Sequence, residues 1–296
     1  MTEAGPDPLR IVAVHGVNNH FGSEISDTRI EELRRLKAAA WTRQLSQGLG
    51  HTVHQLDLDF AYYADKLAIG PAAHGADGRD YLDSPLAQQM LTDWAYELGV
   101  SDQVVQGHAT VPLRALSSWV ARKFDLAEGP LRVFLRLLFT EVSVYLEAEA
   151  APARHAAREE VAARIARHQP RIVIAHSLGS VVAYEALHAH PELRPELFLT
   201  LGSPLALPRA VFHRLVPTPL SDGQTLRGTR PPGVTRWVNI TDVGDPVAVP
   251  PQLSSFFEGI AMDHPTVISG LFRFHHAESY LRSATTAATL APYLGL

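Results

Sequence analysis

Residues 172–187 read IVIAHSLGSVVAYEAL. A β-branched apolar run stops at a small polar cluster with a serine inside it, and a helix-forming stretch follows. A serine at such a junction can cap the helix by accepting free backbone N–H groups. It can also be a nucleophile held on a tight strand-to-helix turn. The second role demands small residues two places before and two places after the serine, because the flanking chains pass closely. Here those residues are Ala175 and Gly179 around Ser177, giving A-x-S-x-G where the usual pattern is G-x-S-x-G. The next residue, Leu178, would open the helix and turn its N–H toward a developing oxyanion.

A serine nucleophile needs a base, a group that orients the base, and a second oxyanion donor. The chain offers each. TDVGDPVAVP, at 241–250, supplies Asp242 and Asp245; Asp245 is favoured because Gly244 and Pro246 bracket it in a tight turn. FRFHHAESYL, at 272–281, supplies His275 and His276 before a closing helix. VAVHGVNNH, at 12–20, ends a strand at His15-Gly16 and leaves the N–H of Val17 free to serve beside that of Leu178. The chain order Ser, acid, His is that of α/β-hydrolases.

These residues must sit at the ends of buried strands. Apolar runs at 9–14, 171–175, 197–201 and 235–240 read as strands, and 53–60 alternates well enough for another. Thr28 and Glu31 suggest a capping box, and Ile30, Leu33, Leu36, Ala40 and Trp41 follow the helical period. Residues 70–78 and the Pro/Gly-rich 217–233 read as loop. Residues 153–168 and 277–293 read as helices, and no repeat is found. Strands alternating with helices mean a mostly parallel sheet with helices on both faces. Residues 84–150 break that rhythm with helical patterns at 85–98, 103–122 and 130–148, so they are expected to form a helical cap. The hydrolase core is then 1–83 and 151–296. Within the cap, Leu131–Leu146 is strongly apolar: a helix buried against the core, a lid lining an acyl pocket, a membrane-surface contact or a dimer face. Arg132 and Arg136, one turn apart, mark its solvated side.

The 296 residues are 46% hydrophobic and 19% charged, enough for a sizeable core and against general disorder. A net charge of −5 gives no electrostatic reason to expect nucleic acid. Only Lys37, Lys66 and Lys123 among the basic residues are lysine. With no cysteine there is no disulfide, thiolate chemistry or Cys-ligated metal. His15, His20, His51 and His54 have no acidic ligands beside them, so no metal is expected, and the missing G-x-G-x-x-G argues against a dinucleotide. MTEAGPDPLR is unlike a signal peptide, and no run is long and apolar enough to span a bilayer. A soluble cytoplasmic protein without cofactor is the expectation.

Taken together, VHGVNN, AHSLGSVVAYEAL, LTLGSPL, NITDVGDPV and HHAESYL resemble the α/β-hydrolase superfamily, specifically bacterial lipase-like and GPI inositol-deacylase-like serine hydrolases. The resemblance spans most of the chain but not 84–150. It implies Ser177 as nucleophile, Asp245 as acid and the histidine before the final helix as base; the spacing to Tyr280 favours His275 over His276. It also implies hydrolysis of an ester, thioester or lipid without metal or cofactor, and names no substrate. An acyltransferase or cyclase using the same machinery, or a lipid- or metabolite-binding scaffold on the same fold, are the rival expectations.

Overall fold

The structure is a computed structural model, described here for residues 7–19, 25–50, 56–67, 82–100, 113–148, 151–221, 223–268 and 275–296. Six strands form one sheet in the order β2-β1-β3-β4-β7-β9, every neighbouring pair parallel. The central strands are β1 (Leu9–Val14), β3 (Ile172–His176), β4 (Leu197–Leu201) and β7 (Arg236–Asp242). They are buried on both faces, as a parallel sheet covered by helices requires. β2 (Leu56–Ala61) and β9 (Ile260–Thr266) are the edges.

Side chains alternate along each strand and feed two separate apolar clusters. Ile11, Ala13, Ile172, Ile174, Leu199 and Val238 point to one face. That face is covered by α1 (Asp27–Gly48), α7 (Ala277–Arg282) and α8 (Ala284–Leu294). Val12, Val14, Val173, Ala175, Phe198 and Trp237 point to the other. There lie α5 (Pro152–His168), α6 (Leu178–Ala189) and the helices of the 84–150 block, namely α2 (Pro85–Glu97), α3 (Leu113–Phe124) and α4 (Glu128–Leu146). The α2–α4 helices share this one cluster with the sheet through Trp94, Leu116, Leu135 and Phe139. α4 is amphipathic in a further sense. Leu131, Leu135, Leu138 and Val142 are buried, whereas Val133 is 60% exposed.

Several local expectations are revised. α1 is capped by Ser26, whose hydroxyl accepts the Arg29 N–H at 3.3 Å, so Thr28 lies inside the helix and makes no capping box with Glu31. Leu36 is 57% exposed; the buried stripe runs through Ile30, Leu33, Trp41 and Leu45. The closing helix is two helices, broken at Ser283, whose hydroxyl caps the second through the Thr286 N–H. β9 has no counterpart in the sequence reading. Its polar residues and Pro265 mask it, and an edge strand tolerates both. The 217–233 stretch carries two short strands, β5 (Leu220–Ser221) and β6 (Leu226–Thr229), the second paired with β8 (Phe257–Glu258). The 70–78 loop, residues 53–55 of the expected second strand and 103–112 of the expected helix lie outside the described residues.

The topology decides where a site can form. From β1 the chain runs to β2 on one side, and β3 lies on the other side of β1. This reversal opens a crevice beyond the C-terminal ends of β1 and β3. Gly16 follows one strand and Ser177 the other.

Candidate active site

Ser177 follows β3 directly and has φ 55° and ψ −132°, a conformation that L-residues rarely adopt. Its backbone is held from both sides. Its N–H donates to the Leu201 carbonyl at 3.1 Å, and its carbonyl accepts the Ser180 hydroxyl at 2.6 Å. Ser180 in turn shares a 2.7 Å hydrogen bond with Ser203. Ser203 is buried and braces the turn.

The glycines against Ser177 are explained by distances. A Cβ on Gly179 would stand 2.2 Å from the His15 carbonyl oxygen. A Cβ on Gly16 would stand 2.6 Å from the Ser177 Cβ. The loop after β1 therefore lies directly against the serine, which puts the 16–17 backbone beside the first residue of α6. The N–H of Leu178 belongs to the helix's N-terminal end, where unpaired donors and the dipole favour negative charge.

Ser177 Oγ lies 2.6 Å from His275 Nε2, and His275 Nδ1 lies 2.7 Å from Asp245 Oδ2. All three residues are buried. Asp245 Oδ2 also accepts the Tyr280 hydroxyl at 2.7 Å, and Oδ1 accepts the Val247 N–H at 2.9 Å. With the carboxylate accepting, His275 Nδ1 carries the proton and Nε2 is left to accept from the serine hydroxyl. A hydroxyl at hydrogen-bond distance from an imidazole that a buried carboxylate orients is an arrangement that can activate serine as a nucleophile.

Of the paired candidates, Asp245 and His275 meet the serine. Asp242 spends Oδ1 on the Gly244 N–H, within its own turn. His276 is exposed and stands at the N-cap of α7. Tyr280 has a part that spacing alone could not reveal. Its hydroxyl donates to Asp245 and accepts the Asp242 N–H at 3.0 Å, so it ties the end of β7 to the acid. Burial, with Asp245 next in weight, holds the Tyr280 phenol well above its ordinary range. Trp94 of α2 donates its indole N–H to the Pro246 carbonyl at 2.7 Å and pins the same turn from the helical block.

His15 is structural. It stacks on Tyr63 at 4.2 Å, bonds the Gly16 carbonyl through Nδ1 and accepts the Tyr63 N–H at Nε2. Burial pushes its imidazole down to about 3, so it stays neutral. His176 is likewise held well below its ordinary value, first by burial and then by the neighbouring histidines. The loop after β1 has a third anchor: the Asn18 N–H donates to Glu141 of α4 at 2.8 Å. Glu141 is buried, and burial pushes its carboxyl up to about 7. No sequence signal marked it, because a lone Glu in a helix normally faces water.

A cavity of about 550 Å³ adjoins these residues. Its walls include the 15–19 loop, Lys37 and Trp41 of α1, Phe134 and Leu137 of α4, and His275–Glu278. Ser177 is fully buried beneath, and the Phe134 ring leans over His275 with centroids 5.3 Å apart. Among the described residues no group of three or more His, Asp or Glu is placed to hold a metal ion, and no helix is long and apolar enough to cross a membrane. His20, His51 and His54 lie outside the described residues. No protein-family model, curated protein or solved structure matches this chain.

Proposed function

We propose that this protein is a serine hydrolase of the α/β-hydrolase type that cleaves a carboxylic ester or thioester through an acyl-enzyme on Ser177. The single observation that carries the reading is His275 lying between Ser177 Oγ at 2.6 Å and Asp245 Oδ2 at 2.7 Å. In the first half-reaction His275 Nε2 takes the hydroxyl proton as Ser177 Oγ attacks the carbonyl carbon. The carbonyl π pair moves onto oxygen, where the N–H groups of Leu178 and Val17 hold the oxyanion. Asp245 keeps the imidazole oriented and balances its charge. The C–O or C–S bond breaks as His275 gives its proton to the leaving group. Water then attacks the acyl carbon as His275 takes its proton; the bond from that carbon to Ser177 Oγ breaks, the acid leaves, and His275 returns the proton to Oγ.

One observation favours a different use of the fold. Ser177 is fully buried beneath the cavity, with Phe134 over His275. A binding scaffold with no acyl chemistry would tolerate that; a hydrolase needs α4 to yield during turnover. Labelling with a fluorophosphonate, read by peptide mass spectrometry, separates the two. The hydrolase reading expects a label on Ser177 that disappears in Ser177→Ala and His275→Ala and persists in His276→Ala. A folded wild type that takes no label even from a small fluorophosphonate refutes it.

A further inference from the structure

Lys37 stands where a lysine is out of place. The i, i+4, i+8 spacing puts Leu33, Lys37 and Trp41 on one stripe of α1, and Leu33 and Trp41 are buried in the core. The other charges near it on this helix are engaged. Arg29 pairs with Glu32, Arg34 with Glu31 and Glu160, and Arg35 donates to the Glu31 carbonyl. Lys37 has no carboxylate within ion-pair distance among the described residues, and its side chain lines the cavity beside Trp41 and Phe60.

The rest of the cavity wall makes this cation conspicuous. Trp41, Phe60, Pro130, Val133, Phe134 and Leu137 are apolar, Asn18, Asn19, His275 and His276 are polar, and His15 and His176 are held neutral. Glu278 is the one other Asp, Glu, Lys or Arg in the described wall, and it is exposed. The Lys37 charge adds a small part to what holds His15 low, and a Cβ on the adjoining Gly16 would stand 2.6 Å from the Ser177 Cβ, so the cation lies on the same side of the cavity as the serine's neighbours. Burial holds the ammonium below its ordinary value, with Glu278 opposing from across the wall. A part-buried ammonium with no carboxylate at ion-pair distance gains most from an anion that enters with a ligand, because the anion restores what water no longer supplies.

We propose that the cavity takes esters or thioesters bearing a carboxylate or phosphate, and that Lys37 binds that anionic group. This rests on the serine-hydrolase reading of the same site. The aromatic and aliphatic walls hold the chain between the anion and the scissile carbonyl, and Lys37 sets specificity without touching the reacting atoms. Glu278 tempers the site, since it competes with the substrate's anion for the same ammonium.

The test uses two matched pairs of substrates on the full chain. One pair differs at the acyl end: mono-p-nitrophenyl glutarate against p-nitrophenyl pentanoate. The other differs at the alcohol end: the butyryl ester of 3-hydroxypropyl phosphate against propyl butyrate. Wild type is expected to favour the charged member of at least one pair. Lys37→Met should lower kcat/KM for that member about 10- to 100-fold, the loss of a charge-assisted hydrogen bond in a partly desolvated site. The neutral member should change less than about threefold, because it carries no anion for the ammonium to bind. Glu278→Gln should raise kcat/KM for the charged member. Should Lys37→Met fold poorly, Lys37→Gln removes the charge and keeps a polar tip. A wild type without preference in either pair, or Lys37 variants that treat both members alike, overturns the inference. If Ser177 still takes the fluorophosphonate label in that case, only the anion site has failed; if it takes none, the hydrolase reading has failed with it.

Discussion

Replacing Glu141 by Gln tests how the helical block is joined to the loop after β1. The Glu141 carboxylate is buried, and the partner shown for it is the Asn18 N–H at 2.8 Å, one residue from Val17. Burial pushes the acid up from 4.5 to about 7, and the Asn18 N–H draws it back only in part. An acid whose folded pKa lies above its unfolded value binds its proton more tightly when folded. It therefore contributes stability that is complete below pH 4.5 and is lost as pH rises through 7. At about 1.4 kcal/mol per pH unit, that interval makes the loss about 3 kcal/mol. Glutamine keeps an oxygen for the Asn18 N–H and cannot ionise, so it copies the protonated acid at every pH. Other titrating groups, His15 included, act equally in both proteins and drop out of the difference. Urea unfolding of wild type and Glu141→Gln at pH 4 and pH 8 measures it. The variant should match wild type within about 1 kcal/mol at pH 4 and exceed it by about 3 kcal/mol at pH 8. Equal pH dependence in the two proteins would refute the reasoning, and with it the claim that burial raises the Glu141 carboxyl.

Three further perturbations address the site. Gly16→Ala puts a methyl 2.6 Å from the Ser177 Cβ and should cut ester turnover and phosphonate labelling about 100-fold, because reacting atoms tolerate less than about 1 Å of misplacement; labelling at the wild-type rate would show that the two loops are not in contact. Tyr280→Phe removes a hydrogen bond to Asp245 and leaves the buried Asp242 N–H without its acceptor, so it should cost about 1–3 kcal/mol of stability by denaturant titration and lower kcat more than it raises KM. Phe134→Ala should speed labelling of Ser177 by a bulky phosphonate more than by a small one, since the ring that leans over His275 is gone; an equal change for both would mean that access runs elsewhere.

Much of this molecule is written in short-range chemistry that a sequence displays. β1, β3 and β4 are apolar runs bounded by turn residues, and a buried parallel strand has to look that way whatever its neighbours. A-x-S-x-G is legible because its residue types fall within five positions, although the crowding that demands Gly179 comes from the distant end of β1, whose backbone a Cβ there would meet. The candidate acid turn and the histidine pair announce themselves by residue type and by chain order. What was not legible is set by contacts between segments far apart in the chain. Of the histidine pair, only the spacing to Tyr280 leans toward His275; the fold turns that residue between Ser177 and Asp245 and leaves His276 exposed. β9 exists because β7 offers a free edge, and its own residues carry little strand pattern. Glu141, Tyr280 and Lys37 look like ordinary surface or core choices in sequence. Only packing makes the first a buried acid against the loop after β1, the second a brace for Asp245, and the third a cation in the cavity wall. Residue type and near spacing establish which chemistry is available. Burial and hydrogen-bond partners, which depend on the whole chain's closure, decide which of those groups face one another and in which charge state.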